Sequence, residues 1–165
     1  MDAFSDDLVC FTDGSAINNG KTGCKAAFAV VWPGKSEYNY AAKISQASTS
    51  ATATNNRAEY SAVIYALKQA TTLDPTCEKT LHVYTDSQLL ISSMTVWIHG
   101  WKKSGFKTKQ KTPVANMDLV MELDALIQMR RTEFHHVKAH TNGTTWEAIH
   151  NDIVDKLAYS TANGI

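Results

Sequence analysis

Two apolar runs in this chain end on the same pair of residues. Leu8 to Phe11 leads into Thr12-Asp13, and Leu81 to Tyr84 leads into Thr85-Asp86. Short apolar runs of this kind read as strands. Ahead of the second run, Tyr60, Val63, Ile64 and Leu67 recur at i, i+3, i+4 and i+7, the stripe of an amphipathic helix. Asn56 stands at its cap position, with Glu59 three residues on in a capping-box-like pattern. Asp74-Pro75 ends it. A strand, a helix and a second strand form a crossover unit, which makes the two strands parallel neighbours. Adjacent strands lie ~4.8 Å apart. Two Thr-Asp tips would then set two carboxylates side by side at the carboxyl edge of a sheet, where sites in open α/β folds lie.

The remaining elements complete this scaffold. Gly14 to Gly23 reads as a polar loop, with Asn18-Asn19-Gly20 as its turn signal. Cys24 to Trp32 is a second strand, and Glu37 to Ile44 a third, joined by Pro33-Gly34 into a hairpin. Ser45 to Thr54 is small and polar, hence a loop. Ser87 caps a helix that runs to about Trp97, and 98–111 is a separate stretch. Asn116 caps a helix with the stripe Leu119, Leu123, Leu126 and Ile127. Thr132 to Val137 is a fifth strand, and Lys138 to Trp146 a loop. A last helix runs from about Glu147 to Thr161, with Ile149, Ile153 and Leu157 expected to face inward. The fold class expected is α/β: a mixed five-stranded sheet with helices on both faces. No repeat or linker divides the chain, so residues 1–165 read as one domain, with 1–7 as a flexible N-terminus.

A chain of 165 residues buries roughly two-thirds of its unfolded surface without disulfides or a structural metal. Its hydrophobic share of 44%, with 19% charged residues, argues against disorder. Cys10, Cys24 and Cys77 are odd in number and far apart, which points to reduced thiols in an intracellular protein. No export signal and no membrane-length apolar run is present. The 16 basic and 16 acidic residues cancel. A nucleic-acid surface must therefore come from local concentration of charge. Trp97, Trp101, Lys102, Lys103, Phe106, Lys107, Lys109 and Lys111 supply one candidate. Lysines interleaved with aromatics suit a surface that tracks a phosphate backbone. The plainer alternatives are a solvated helix face or a localisation patch.

Four carboxylates carry the chemistry. Asp13 and Asp86 end strands, Glu59 lies in the first turn of the crossover helix, and Asp155 follows a loop that can return it to the same edge. Singly, each has an ordinary reading as a turn residue, a helix cap or a solvated side chain. Together they repel, raise one another's pKa and call for a cation. Oxygen donors with open positions suit Mg²⁺ or Mn²⁺. Two such ions can clamp the attacking and leaving oxygens of a phosphodiester displacement.

At this point Phe11-Thr12-Asp13-Gly14-Ser15, Thr54-Asn55-Asn56-Arg57-Ala58-Glu59, Tyr84-Thr85-Asp86-Ser87-Gln88, Val137-Lys138-Ala139-His140 and Asn151-Asp152-Ile153-Val154-Asp155-Lys156-Leu157-Ala158 fall into place. In this order they resemble the successive signatures of type 1 ribonuclease H, from about Leu8 to Ala162. The resemblance implies a ribonuclease H-like fold and endonucleolytic cleavage of the RNA strand of RNA–DNA hybrids, leaving 5′-phosphate and 3′-hydroxyl ends. It implies two Mg²⁺ ions, with Mn²⁺ as a substitute, on Asp13, Glu59, Asp86 and Asp155. Asp155 is preferred to Asp152 because it stands one residue before Leu157-Ala158.

His140 falls where the family keeps a mobile histidine for proton transfer or product release. Fifteen positions separate it from Asp155, a longer loop than in the common bacterial form. His135 and His136 read as structural. Residues 98–113 resemble the family's basic protrusion, in which Trp101, Lys102 and Lys103 would hold the DNA strand. Asn19, Asn55, Asn56 and Gln88 resemble minor-groove contacts, some of them reading 2′-hydroxyls. Thr54 and Asn116 resemble a DNA-phosphate pocket, with Thr52 where some members place an arginine. The partner expected is the hybrid itself, with no membrane, no obligate protein partner and a monomeric chain, in cytoplasm or nucleus. A reverse-transcriptase domain and a catalytically dead hybrid-binding module are the rival readings.

Overall fold

The computed structural model describes residues 6–17, 25–44 and 55–165. The expected turn at Asn18-Asn19-Gly20, the loop at Ser45 to Thr54, and Cys24 lie outside them. Five strands form one sheet: β1 (Leu8–Ile17), β2 (Lys25–Val31), β3 (Tyr40–Lys43), β4 (Leu81–Thr85) and β5 (Thr132–His136), in the order β3-β2-β1-β4-β5. β1 pairs antiparallel with β2, and β2 with β3. β1 pairs parallel with β4, and β4 with β5. The mixed sheet and the parallel β1–β4 pair are as the sequence leads one to expect. β3 is shorter than expected, because Ser36–Tyr38 forms a 3₁₀ turn before it.

Helices α1 (Asn55–Leu73), α2 (Gln88–Ser92), α3 (Ile98–Ser104), α4 (Met117–Ile127) and α5 (Trp146–Asn163) complete the fold. On one face of the sheet, Tyr60, Val63 and Leu67 of α1 and Val120 and Leu123 of α4 close over Cys10, Val30, Leu81 and Val83. On the other, Val154 and Ala158 of α5 close over Phe11, Ala29, Val31 and Tyr84. Among the described residues no helix is long and apolar enough to cross a membrane.

Several local expectations are corrected. β1 does not end at Asp13; it continues to Ile17, paired residue by residue with β2. Asp13 is therefore a mid-strand residue. Gly14 is not a turn: a Cβ built there would lie 2.6 Å from the Ala58 Cβ and 2.7 Å from the Glu59 nitrogen. Glycine is needed so that α1 can approach the strand. Ser87 does cap α2, accepting from the Leu90 N–H at 3.1 Å. The helical path then runs through a wide π-type turn, Ser93–Trp97, into α3, so 98–104 is helical rather than a separate stretch.

Asn116 occupies the cap position of α4 in a left-handed conformation (φ 58°), but its side chain makes no capping bond. Thr145 caps α5, which begins at Trp146. The inward residues of α5 are Asn151, Val154, Ala158 and Ala162, while Ile149 and Ile153 are 46% and 44% exposed. Of the expected stripe, Leu157 packs against the core and the two isoleucines do not. Small side chains, not the largest ones, face the sheet, and they let the helix lie close.

Candidate active site

β4 flanks β1 only from Leu8 to Phe11. Beyond that point one side of β1 is no longer covered by a parallel neighbour, and Asp13 lies there. Asp86 follows the last residue of β4. Glu59 reaches the same place from the second turn of α1. Rather than closing a capping box, its Oε1 accepts a hydrogen bond from the Gly14 N–H, which also donates to Asp13 Oδ1 at 2.9 Å. One carboxylate oxygen of each of Asp13, Glu59 and Asp86 falls within 4.8 Å of the others. Asp13 and Glu59 are each only 4% exposed.

Such crowding has a clear electrostatic result. Burial, then the charges of Glu59 and Asp86, drives the Asp13 carboxyl far above the ordinary range. Burial raises Glu59 too, opposed by hydrogen bonds that include the Gly14 N–H and the Ser87 hydroxyl. Asp86 is raised by burial and by Asp155, and lowered by His140 and His136. Asp13 Oδ2 is buried with no hydrogen-bond partner. A fully buried acceptor among carboxylates, with no donor, is the condition a hard cation relieves. The donor set fits such an ion.

Asp155 approaches from α5. Its Oδ2 lies 3.8 Å from Nδ1 of His140, whose backbone is left-handed (φ 54°) and whose side chain is 75% exposed. Asp152, the rival acid, forms an ion pair with Lys156 at 2.8 Å. The long loop before α5 is anchored at its far end, where Trp146 packs edge-on against Phe11 and Tyr84.

The proposed substrate surface is partly assembled. Asn56, Trp97, Trp101 and Asn116 line a cavity of about 210 Å³ between α1, the π turn and the arm. Arg57, unremarked in the sequence except as a motif letter, organises this corner. Its guanidinium donates to both carboxylate oxygens of Asp118 (3.0 and 2.9 Å) and to Asn116 Oδ1 at 3.3 Å. Gln88 is exposed and donates to Ser92 Oγ. Lys102 forms an ion pair with Asp124 of α4 at 3.0 Å, whereas the neighbouring Lys103 lies exposed. Asn55 starts α1. Asn19, Thr52 and Thr54 lie outside the described residues. His136, read as structural, acts on Asp86. Its signal was adjacency to the end of β5, which the register places beside Thr85.

Residues 5–163 match the family model described as RNase H. The chain belongs to the RNase H family. It is 42% identical over 130 residues to ribonuclease H of Serratia proteamaculans, covering 79% of this chain and 76% of that one. It is 35% identical over 157 residues to ribonuclease H of Vibrio campbellii, covering 92% and 87%. The solved RNase H domain of prototype foamy virus superposes with a TM-score of 0.71 at 22% identity, covering 96% of this chain and 95% of that domain, a likeness of fold. This RNase H is thus a hydrolase of a metal-dependent family, and its activity is endonucleolytic cleavage of RNA in RNA–DNA hybrids.

Proposed function

We propose that this RNase H holds two Mg²⁺ ions, replaceable by Mn²⁺, on Asp13, Glu59, Asp86 and Asp155, and leaves 5′-phosphate and 3′-hydroxyl ends. The observation that carries this reading is the trio of carboxylates within 4.8 Å, with Asp13 Oδ2 buried and unpartnered. When bound, two such ions supply an activated water and a stabilised leaving oxygen. The chain's own residues do the rest. The Gly14 N–H fixes the Asp13 and Glu59 carboxylates in their orientation. His140, beside Asp155 and open to solvent, can hold or release a proton at Nδ1.

The substrate surface runs from Asn55, Asn56 and Gln88 at the start of α1 and α2 to the arm. Trp101 and Lys103 of the arm meet the DNA strand, and Asn116, held by Arg57, meets a phosphate. Asn19 and Thr54 join this surface on the strength of the resemblance. One domain, acting as a monomer inside the cell, accounts for these features. The free thiols of Cys10 and Cys77 fit a reducing compartment.

The test is to incubate the protein with labelled RNA–DNA hybrid, double-stranded RNA and double-stranded DNA, with Mg²⁺ or EDTA. Cleavage of the RNA strand of the hybrid alone, and only with metal, is expected. Equal cleavage of double-stranded RNA, or cleavage in EDTA, would overturn the reading.

A further inference from the structure

A second cluster of potential ligands lies on the β4–β5 half of the sheet, and its chemistry differs from that of the catalytic carboxylates. Strand alternation places His82 and Tyr84 of β4 on the same face as Glu133 and His135 of β5, with His82 opposite Glu133 and Tyr84 opposite His135 in the register. This is the face α5 covers over β1 to β3. His82 Nδ1 lies 2.8 Å from His135 Nε2 and 3.4 Å from Glu133 Oε2. One ligand atom from each of the three residues falls within 4.8 Å of the others. His82 is 3% exposed, while His135 and Glu133 are reachable from solvent.

Two imidazoles and a carboxylate are a borderline-soft donor set, suited to Zn²⁺ and poorly suited to Mg²⁺. A tetrahedral zinc with bonds of ~2.0–2.1 Å spaces its ligand atoms ~3.4 Å apart. The Glu133–His82 separation already has that value, and the imidazole pair needs to open by roughly half an ångström.

A separate observation points the same way. The other ring nitrogen of His82, Nε2, lies 2.8 Å from Asp7 Oδ2, just before β1. A metal-bound imidazole typically donates its far N–H to a carboxylate, which fixes its tautomer and raises its basicity. With Nε2–H turned to Asp7, the Nδ1 lone pair of His82 faces His135 and Glu133.

We propose that His82, Glu133 and His135 form a zinc-class site oriented by Asp7, distinct from the catalytic carboxylates. An ion there ties together the entry to β1 and the two outer parallel strands. It would secure the edge strand β5, which leads into the loop bearing His140.

The test is titration of the protein with Zn²⁺, in excess Mg²⁺ to occupy the oxygen-ligand site, followed by calorimetry. Co²⁺ absorption serves as an independent reading of coordination. One zinc-class ion per chain is expected, with intense visible bands for bound Co²⁺. Glu133→Gln and His135→Gln, both at solvent-reachable positions, should weaken binding at least tenfold. Asp7→Asn should weaken it by about 10–100-fold. Asp13→Asn should leave it unchanged. Zinc should also raise the melting temperature of the wild type and not of His135→Gln. The assignment is overturned if no zinc binds, or if binding is lost in Asp13→Asn and retained in Glu133→Gln and His135→Gln. In that case Asp7, His82 and His135 form only a hydrogen-bonded chain.

Discussion

The backbone N–H of Gly14 donates to the carboxylate of Glu59 across the contact between β1 and α1. The bond exists because nothing but hydrogen stands on the Gly14 Cα. The strand and the first turns of the helix touch there, and each fixes one carboxylate of the site.

A methyl group at this position would collide with the Ala58 Cβ and with backbone atoms of Ala58 and Glu59, all within 2.8 Å. Gly14→Ala should therefore move α1 outward and displace Glu59. The expected cost is about 1–3 kcal/mol of stability, with at least a hundredfold fall in kcat. Urea unfolding and steady-state hybrid cleavage measure the two effects. A variant with wild-type kcat would show that the contact does not position Glu59.

The Asp13→Asn variant should lose metal-dependent cleavage yet bind hybrid. Because burial among other carboxylates drives the Asp13 carboxyl far above the ordinary range, a neutral amide there removes the cost of keeping it protonated, and metal-free melting temperature should stay level or rise. A clear fall by differential scanning calorimetry would contradict the crowding described here.

The pH profile of metal-free stability carries two opposed contributions. Asp13, Glu59 and Asp86 have raised folded-state pKa values, so the folded protein keeps protons that the unfolded chain releases above pH ~4. Their contribution makes stability fall as pH rises from there. Asp74 is held below the usual range by the Lys79 N–H and by Arg130, so its stabilisation is full above pH ~4 and lost on acidification. Metal binds the deprotonated cluster and should remove the alkaline-side decline. Urea midpoints across pH 3 to 8, with EDTA or Mg²⁺, check this; a decline that persists unchanged with Mg²⁺ would contradict it.

Arg130, almost fully buried, donates to Asp74 Oδ2 at 2.9 Å and to the carbonyls of Ala70, Asp74 and Lys79. It closes the C-terminus of α1. Arg130→Met leaves Asp74 with only the Lys79 N–H and should cost about 3–5 kcal/mol, read by chemical denaturation. Activity per folded molecule should be kept, since the pair lies at the far end of α1 from Glu59.

Within the arm, the lysines are not equivalent. Lys103→Ala should reduce the salt slope of hybrid binding by about one. Lys102→Ala should reduce it less, because its ammonium already pairs with Asp124. Equal slopes for both, measured by fluorescence anisotropy across salt concentrations, would show that the Lys102 pair opens on binding.

The parallel β1–β4 pair, the β2–β3 hairpin and the meeting of Asp13, Glu59 and Asp86 were legible in the sequence, because periodicity and crossover topology are local or nearly local signals. What escaped depended on contacts between elements. Gly14 looks like a turn glycine until α1 is laid against it. Asn116 has the composition of a cap, but its side chain is engaged by Arg57. Ile149 and Ile153 have the right spacing for an inward stripe, yet close approach of α5 selects Val154 and Ala158 instead. Lys102 could not be separated from Lys103 without knowing that α4 brings Asp124 alongside.

The uneven pairing of β1 has a consequence for motion. Leu8 to Cys10 pairs only with β4 and Thr12 to Ile17 only with β2, so Phe11 is the residue of the strand registered on both sides. Amide exchange should therefore be slowest around Phe11 and quicken toward both ends of the strand. Asp13 lies just past that crossing, on the part of the strand held by β2 alone.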